Sequence, residues 1–99
     1  MSPAHVVYIA VSPDRAALYC GVTDDLAARA AEHRAGRGPP FAARHGCTRI
    51  VWVEAQPSAE VAAARAARLR EASRSRKVRL VEQANPAWAD LLAPARCRG

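Results

Sequence analysis

Tyr8 and Tyr19 are the only tyrosines in the chain, and each sits on one arm of the stretch His5 to Gly21, HVVYIAVSPDRAALYCG. A phenol with its ordinary pKa of about 10 becomes a base only beside a cation or a metal-bound water. A cation follows closely. Leu26, Arg29, Ala30 and His33 keep i, i+3, i+4, i+7 spacing, which puts them on one face of a helix. Arg29 and His33 therefore point with Leu26 towards the protein, where a charged side chain needs a partner or a ligand. The guanidinium fork suits phosphate better than an ammonium does. More charge comes later. Arg65, Arg68, Arg70, Arg74, Arg76, Lys77 and Arg79 face Glu71 alone, which accounts for the whole formal excess of +6. A clustered basic face is the footprint of a polyanion binder. Each feature also has a plain structural explanation. The tyrosines serve as strand residues with wet hydroxyls, Arg29 as a partner of Asp24 or Asp25, His33 as a structural residue beside Glu32, and the arginines as a solvated helix.

The elements that must position these side chains follow from local chemistry. Val6, Val7, Tyr8, Ile9 and Val11 suit a pleated surface, and Ser12-Pro13-Asp14 is turn chemistry. Ala17 to Cys20 restores an apolar run that Gly21 ends, so two short strands with a turn are predicted. Thr23-Asp24-Asp25 supplies N-cap oxygens for a helix from about Asp25 to Ala35, and Gly36 closes it. Phe41 to His45 has the length of one helical turn before Gly46. Thr48 to Glu54 is the clearest strand. It is apolar on both faces at its middle, which predicts a central place in the sheet.

Ser58 reads as the N-cap of an alanine-rich helix reaching about Glu71, with Ala62, Arg65, Ala66 and Leu69 in one stripe. Val78 to Glu82 predicts one further turn. Asn85 to Leu91 predicts a short closing helix with Pro86 in its first turn, and Trp88 and Leu91-Leu92 as a lid. The fold class expected is α/β (an α+β sandwich), a small three-stranded mixed sheet flanked by helices. Ninety-nine residues predict one domain, with a core over about 5–92 and frayed residues 93–99.

No apolar run approaches the ~20 residues that span a bilayer, and no basic start precedes an apolar stretch, so neither a membrane partner nor a secretory signal is expected. Cys20, Cys47 and Cys97 are odd in number and widely spaced, which supports neither a zinc site nor a disulfide framework and fits a reducing cytoplasm.

Val7-Tyr8-Ile9, a gap, Tyr19-Cys20-Gly21 and then Val22-Thr23-Asp24-Asp25-Leu26 resemble the opening of the GIY-YIG endonuclease superfamily. The likeness is greatest to its small stand-alone bacterial members, which resemble the amino-terminal nuclease domain of the repair excinuclease. Val6, Val7 and Cys20 depart from the letters of the family name. Further matches are Leu26-x-x-Arg29-x-x-x-His33, Gly36-x-Gly38 with Phe41, Ser73-Arg74-x-x-Lys77 and Asn85-Pro86-x-Trp88, so the resemblance extends from Tyr8 to about Leu91.

The resemblance implies a compact α/β arrangement and hydrolysis of DNA phosphodiesters, with repair as its setting. It implies Tyr19 as general base, Tyr8 in support, Arg29 on the scissile phosphate and His33 as a proton shuttle or phosphate ligand. The basic residues Arg37, Arg65, Arg68, Arg74 and Lys77 are expected to meet DNA that is branched, nicked or damaged. Such nucleases use Mg²⁺, or Mn²⁺, held by a glutamate on the second long helix. The alignment puts that glutamate at position 66, which is alanine, and positions 61 to 70 contain no acid. Glu60 and Glu71 do not share the helix face of Ala66, since one turn is about 3.6 residues. Glu32 and Glu54 are the acids left to reach the site, and the metal ligands are unknown. Two readings follow: an endonuclease with impaired activity, or an inactive DNA-binding module derived from one. A protein-interaction domain solubilised by arginine is a third.

Overall fold

Strand β1, His5–Val11, is buried along almost its whole length, and every other element is arranged about it. The computed structural model describes residues 5–92. The expected fraying of 93–99 lies outside them. Strand β2, Leu18–Thr23, returns antiparallel to β1 through the Ser12–Ala17 turn, where Ser12 Oγ donates to Asp14 and accepts from the Ala17 amide. Strand β3, Arg49–Gln56, pairs antiparallel with the other side of β1, giving the order β2-β1-β3.

The sheet is therefore antiparallel throughout, not mixed, and β1 rather than β3 is central. The reason lies in what covers β3. Asn85 Nδ2 donates to the Val51 carbonyl at 3.0 Å, and the Leu91 amide donates to the Ile50 carbonyl at 2.8 Å. At Ile50 and Val51 the outer edge of β3 is thus met by the segment after α4 instead of another strand, which satisfies these two carbonyls without extending the sheet.

Period-two alternation sends β1 to two cores. Val7, Ile9 and Val11 join Cys20, Val51, Trp52, Ala62, Ala66, Leu69, Val81 and Trp88 on one face. Tyr8 and Ala10 join Ala30, Ala42, Cys47 and Ile50 on the other. The first face is covered by α3, Ala59–Glu71, and α4, Arg74–Ala84. The second is covered by α1, Leu26–Arg34, and α2, Pro40–His45.

Caps set the helix ends. The Asp25 carboxylate accepts from the Ala28 amide, Ser58 Oγ from Val61 and Ser73 Oγ from Arg76. Gly36 and Gly46 take positive φ after α1 and α2.

The single turn predicted at Val78–Glu82 is a full helix, and the closing helix predicted at Asn85–Leu91 is not formed. Asn85 explains both. Its backbone caps α4, while its side-chain amide donates to Val51 and Ala89 carbonyls and accepts from the Ala89 amide. These bonds hold 85–89 as a turn, and Trp88 takes φ 57° within it. Trp88 still packs as a lid: it is buried in the first core, under the Arg15 guanidinium at 5.0 Å from its ring centroid.

Candidate functional site

The register of the hairpin places the two tyrosines on one face. Tyr8 pairs with Gly21 and Ala10 with Tyr19, so Tyr8 and Tyr19 lie diagonally across the β1–β2 ladder. Their ring centroids are 6.1 Å apart. Gly21 makes this possible. A Cβ there would lie 2.6 Å from Cζ and Oη of Tyr8 and 2.7 Å from Cε2 of Tyr19.

Helix α1 lays its inward face over the pair. Ala30 and His33 are buried, while Leu26 and Arg29 are half-buried at the rim. His33 Nδ1 is 2.9 Å from the Cys47 carbonyl oxygen, and its Nε2 is 2.8 Å from the Tyr8 hydroxyl. A carbonyl only accepts, so Nδ1 carries a proton. In a neutral ring Nε2 is then the acceptor, and Tyr8 donates to it. Burial holds His33 below its ordinary pKa, and Arg29 adds to that against the opposing Cys47 bond and Glu32. Burial likewise pushes the Tyr8 hydroxyl well above the phenol range; Tyr19 adds to this, while Arg29 pulls it down. Gly38 backs the imidazole from the loop after α1, where a Cβ would meet His33 Nδ1 at 3.1 Å.

Chemical roles separate accordingly. Tyr8 is a protonated donor tied to His33, and both His33 nitrogens are engaged inside the protein. Tyr19 has the half-exposed phenol. Its ring lies 5.8 Å from that of His33 and stacks at 6.3 Å on exposed Phe41, which meets His45 at 4.3 Å. Arg29 sits at the rim, paired with Glu32 at 3.2 Å and close enough to act on Tyr8.

Tyr19 also opens to the edge of β2. A cleft of about 340 Å³ there is lined by Leu18, Tyr19, Cys20, Phe41, Arg70 and Lys77. Lys77 borders a second cleft of about 500 Å³ between α3 and α4, with Arg65, Arg68, Arg76 and Glu71 among its walls. Lys77 thus lines both basic clefts, and the smaller of them reaches Tyr19.

The expected DNA contacts divide. Arg68 and Lys77 line these clefts, and Arg37 is exposed in the loop beside His33. Arg65 borders the larger cleft but bonds Glu54 at 2.8 Å and lies 5.8 Å over the Trp52 ring. Arg74 donates to the Ala16 carbonyl at 2.9 Å and to that of Arg15, pinning the β1–β2 turn to the start of α4. Arg70 and Phe41 join the site without having been expected there. Their basic and aromatic character is plain in the sequence, but only the fold brings residues 41, 70 and 77 to the edge of β2.

Residues for a divalent ion do not converge. Ala66 is fully buried in the α3 core, and Glu71 lies in the α3–α4 cleft. Glu54 opposes Val7 in the ladder, on the sheet face away from Tyr8, and is held by Arg65 and Gln56. Glu32 reaches the rim but is bound to Arg29. Among the described residues no group of three His, Cys, Asp or Glu gathers around a common point. The donor set does not fit a protein-held Mg²⁺, which needs carboxylate oxygen.

No curated protein and no solved structure matches the chain. A family model described as the GIY-YIG catalytic domain matches residues 4–79. It ends short of Leu91, so the Asn85-Pro86-x-Trp88 resemblance lies beyond it. The match covers well over half of the sequence and includes both tyrosines, Arg29, His33 and the basic helices. The chain belongs to the GIY-YIG catalytic domain family.

Proposed function

We propose that this protein is a DNA endonuclease domain that engages branched, nicked or damaged DNA and hydrolyses its phosphodiesters slowly, working as one domain over residues 1–99 in the cytoplasm. Family membership points to nuclease chemistry and DNA binding. The observation that carries the reading is the junction at Lys77, which lines both basic clefts, the smaller of which is also lined by Tyr19. A strand following the clefts is neutralised by Arg68 and Lys77 and arrives at Tyr19. Arg29 then stabilises charge on the phosphate. Water attacks phosphorus as the P–O bond to the leaving oxygen breaks. Tyr19 gives its hydroxyl proton to that oxygen while taking one from the attacking water, so the phenol ends as it began. Tyr8 and His33 fix the floor of the site rather than exchanging protons with DNA.

GIY-YIG nucleases are typically dependent on a divalent metal, and the residues present do not fit one. That disagreement favours a second reading, a module that binds DNA without cutting it. A cleavage assay on nicked and branched duplexes with Mg²⁺ or Mn²⁺ decides between them. Slow cleavage abolished by Tyr19→Phe supports the endonuclease; intact substrate in both metals leaves the binding module. Binding measured across ionic strength tests both, because phosphate neutralisation makes affinity fall steeply with salt. Affinity indifferent to salt would sink both.

A further inference from the structure

We propose that the β2-edge cleft is a phosphate site in which Arg70 and Lys77 neutralise the anion without a divalent ion. The proposal rests on the DNA-binding reading and names the groups that take the phosphate. Ala66 and Arg70 are four residues apart on α3, so they lie on nearly the same face. The helix that lacks a carboxylate at one turn presents a guanidinium at the next. Arg70 Nε donates to the Cys20 carbonyl of β2 at 3.2 Å, which fixes the guanidinium at the strand edge. A guanidinium has five N–H donors, so this bond leaves four. Lys77 arrives from α4 on the same cleft, and both cations lie near enough to act on the Cys20 thiol.

Two cations lining one cleft repel Mg²⁺ and attract a phosphate oxygen. The cleft is of a size that takes a small ligand group, and its other wall is the exposed ring of Phe41. Phosphate on Arg70 and Lys77 would therefore lie in the cleft that Tyr19 and Phe41 also line. Charge that an ion neutralises elsewhere is neutralised here by side chains.

The test uses the full chain in EDTA, titrated with inorganic phosphate while the ring resonances of Tyr19 and Phe41 are followed by NMR. Both rings are expected to shift and saturate. Lys77→Met breaks no side-chain hydrogen bond among the described residues and is expected to weaken phosphate binding about tenfold, the loss of one charged contact. Arg70→Met is expected to do the same, with Arg70→Lys restoring part of the affinity. Arg79→Met, on the far side of α4, is the control and stays within about twofold, as an exposed charge outside the site should. Unmoved Tyr19 resonances, or shifts that appear only with added Mg²⁺, overturn the proposal. Binding of a nicked duplex in EDTA is measured in parallel. Salt-sensitive DNA binding with silent Tyr19 resonances defeats this inference and leaves the DNA reading standing; shifted resonances without DNA binding do the reverse.

Discussion

The Tyr8 hydroxyl donates to His33 Nε2 across 2.8 Å in the interior, and the direction of that bond is set on the opposite side of the ring by the Cys47 carbonyl. A strand, a helix and the loop after α2 thus meet in one hydrogen-bonded line. The line fixes protonation states: a neutral imidazole, and a phenol that keeps its proton. It also separates two tyrosines that look equivalent in sequence. One is a buried donor, and the other is half-exposed and free to face a substrate.

Ultraviolet absorbance should tell the two apart. In Tyr19→Phe the remaining tyrosine is Tyr8, and its phenolate absorbance should stay absent well past the ordinary value of 10.0, until alkali unfolds the chain. Burial is the main cause, and the bond to His33 holds the proton further. Ultraviolet titration alongside circular dichroism checks this. Ionisation of the folded protein near the ordinary value would mean that Tyr8 is not enclosed.

Stability should respond to acid through His33. Its folded pKa lies below the unfolded value of about 6.5, chiefly through burial. Below that value the unfolded chain takes up a proton that the folded chain refuses. The contribution is therefore complete above about pH 6.5 and is lost as the pH falls towards the folded pKa. Between pH 7 and pH 5 the Tm of the wild type should fall further than that of His33→Gln, which retains hydrogen-bonding capacity without the titration. Parallel Tm curves would contradict the assignment.

Gly21 is the tightest geometric requirement of the site. In Gly21→Ala the new methyl must displace the Tyr8 ring, which is fully buried, or the Tyr19 ring beside it. Overpacking of this kind costs about 1–3 kcal/mol. For a domain of this size that corresponds to a fall of roughly 4–8 °C in Tm per kcal/mol. Thermal unfolding measures the loss, and the aromatic NMR shifts of Tyr8 and His33 should move with it. An unchanged Tm with unmoved ring resonances would show that the two rings are not held as described.

Much of this architecture is legible in the residues, and the departures have physical causes. The hairpin, α1 and α3 follow from β-branched runs, turn residues and caps, because their signals are local. Strand β3 reads as central and is not, because being apolar on both faces reports cover and not position. Val51 and Trp52 are covered by α3 and α4 on one face and Ile50 by α1 and α2 on the other, so an edge strand acquires the pattern of a central one. Helix α4 reads as a single turn because its apolar residues Val78, Leu80 and Val81 fall close together, while the residues before them, Arg74 to Lys77, are all polar. Ser73 and Asn85 are the residues that bound it. At the site, Tyr8, Arg29 and His33 converge as their spacing implies, but Cys47, which orients His33, carries no sequence signal because the contact is made by its backbone.

Ala66→Glu is the obvious repair for metal binding, yet Ala66 is wholly enclosed in the α3 core, in one cluster with Cys20, Leu69 and Val81. A glutamate there must overpack that core, at about 1–3 kcal/mol, and bury a carboxylate that prefers to stay protonated. Its folded pKa should rise above the unfolded value of about 4.3, so the deficit is smallest below that pH and grows as pH rises towards 7. Thermal unfolding of wild type and Ala66→Glu at pH 4 and pH 7, each with and without Mg²⁺, reads this directly. The variant should be less stable at both, more so at pH 7, and indifferent to the metal. A variant as stable as wild type, or one that Mg²⁺ stabilises, would show that the side chain at position 66 swings past the core to the β2-edge cleft. The absent carboxylate would then be a simple loss rather than a position the fold has closed.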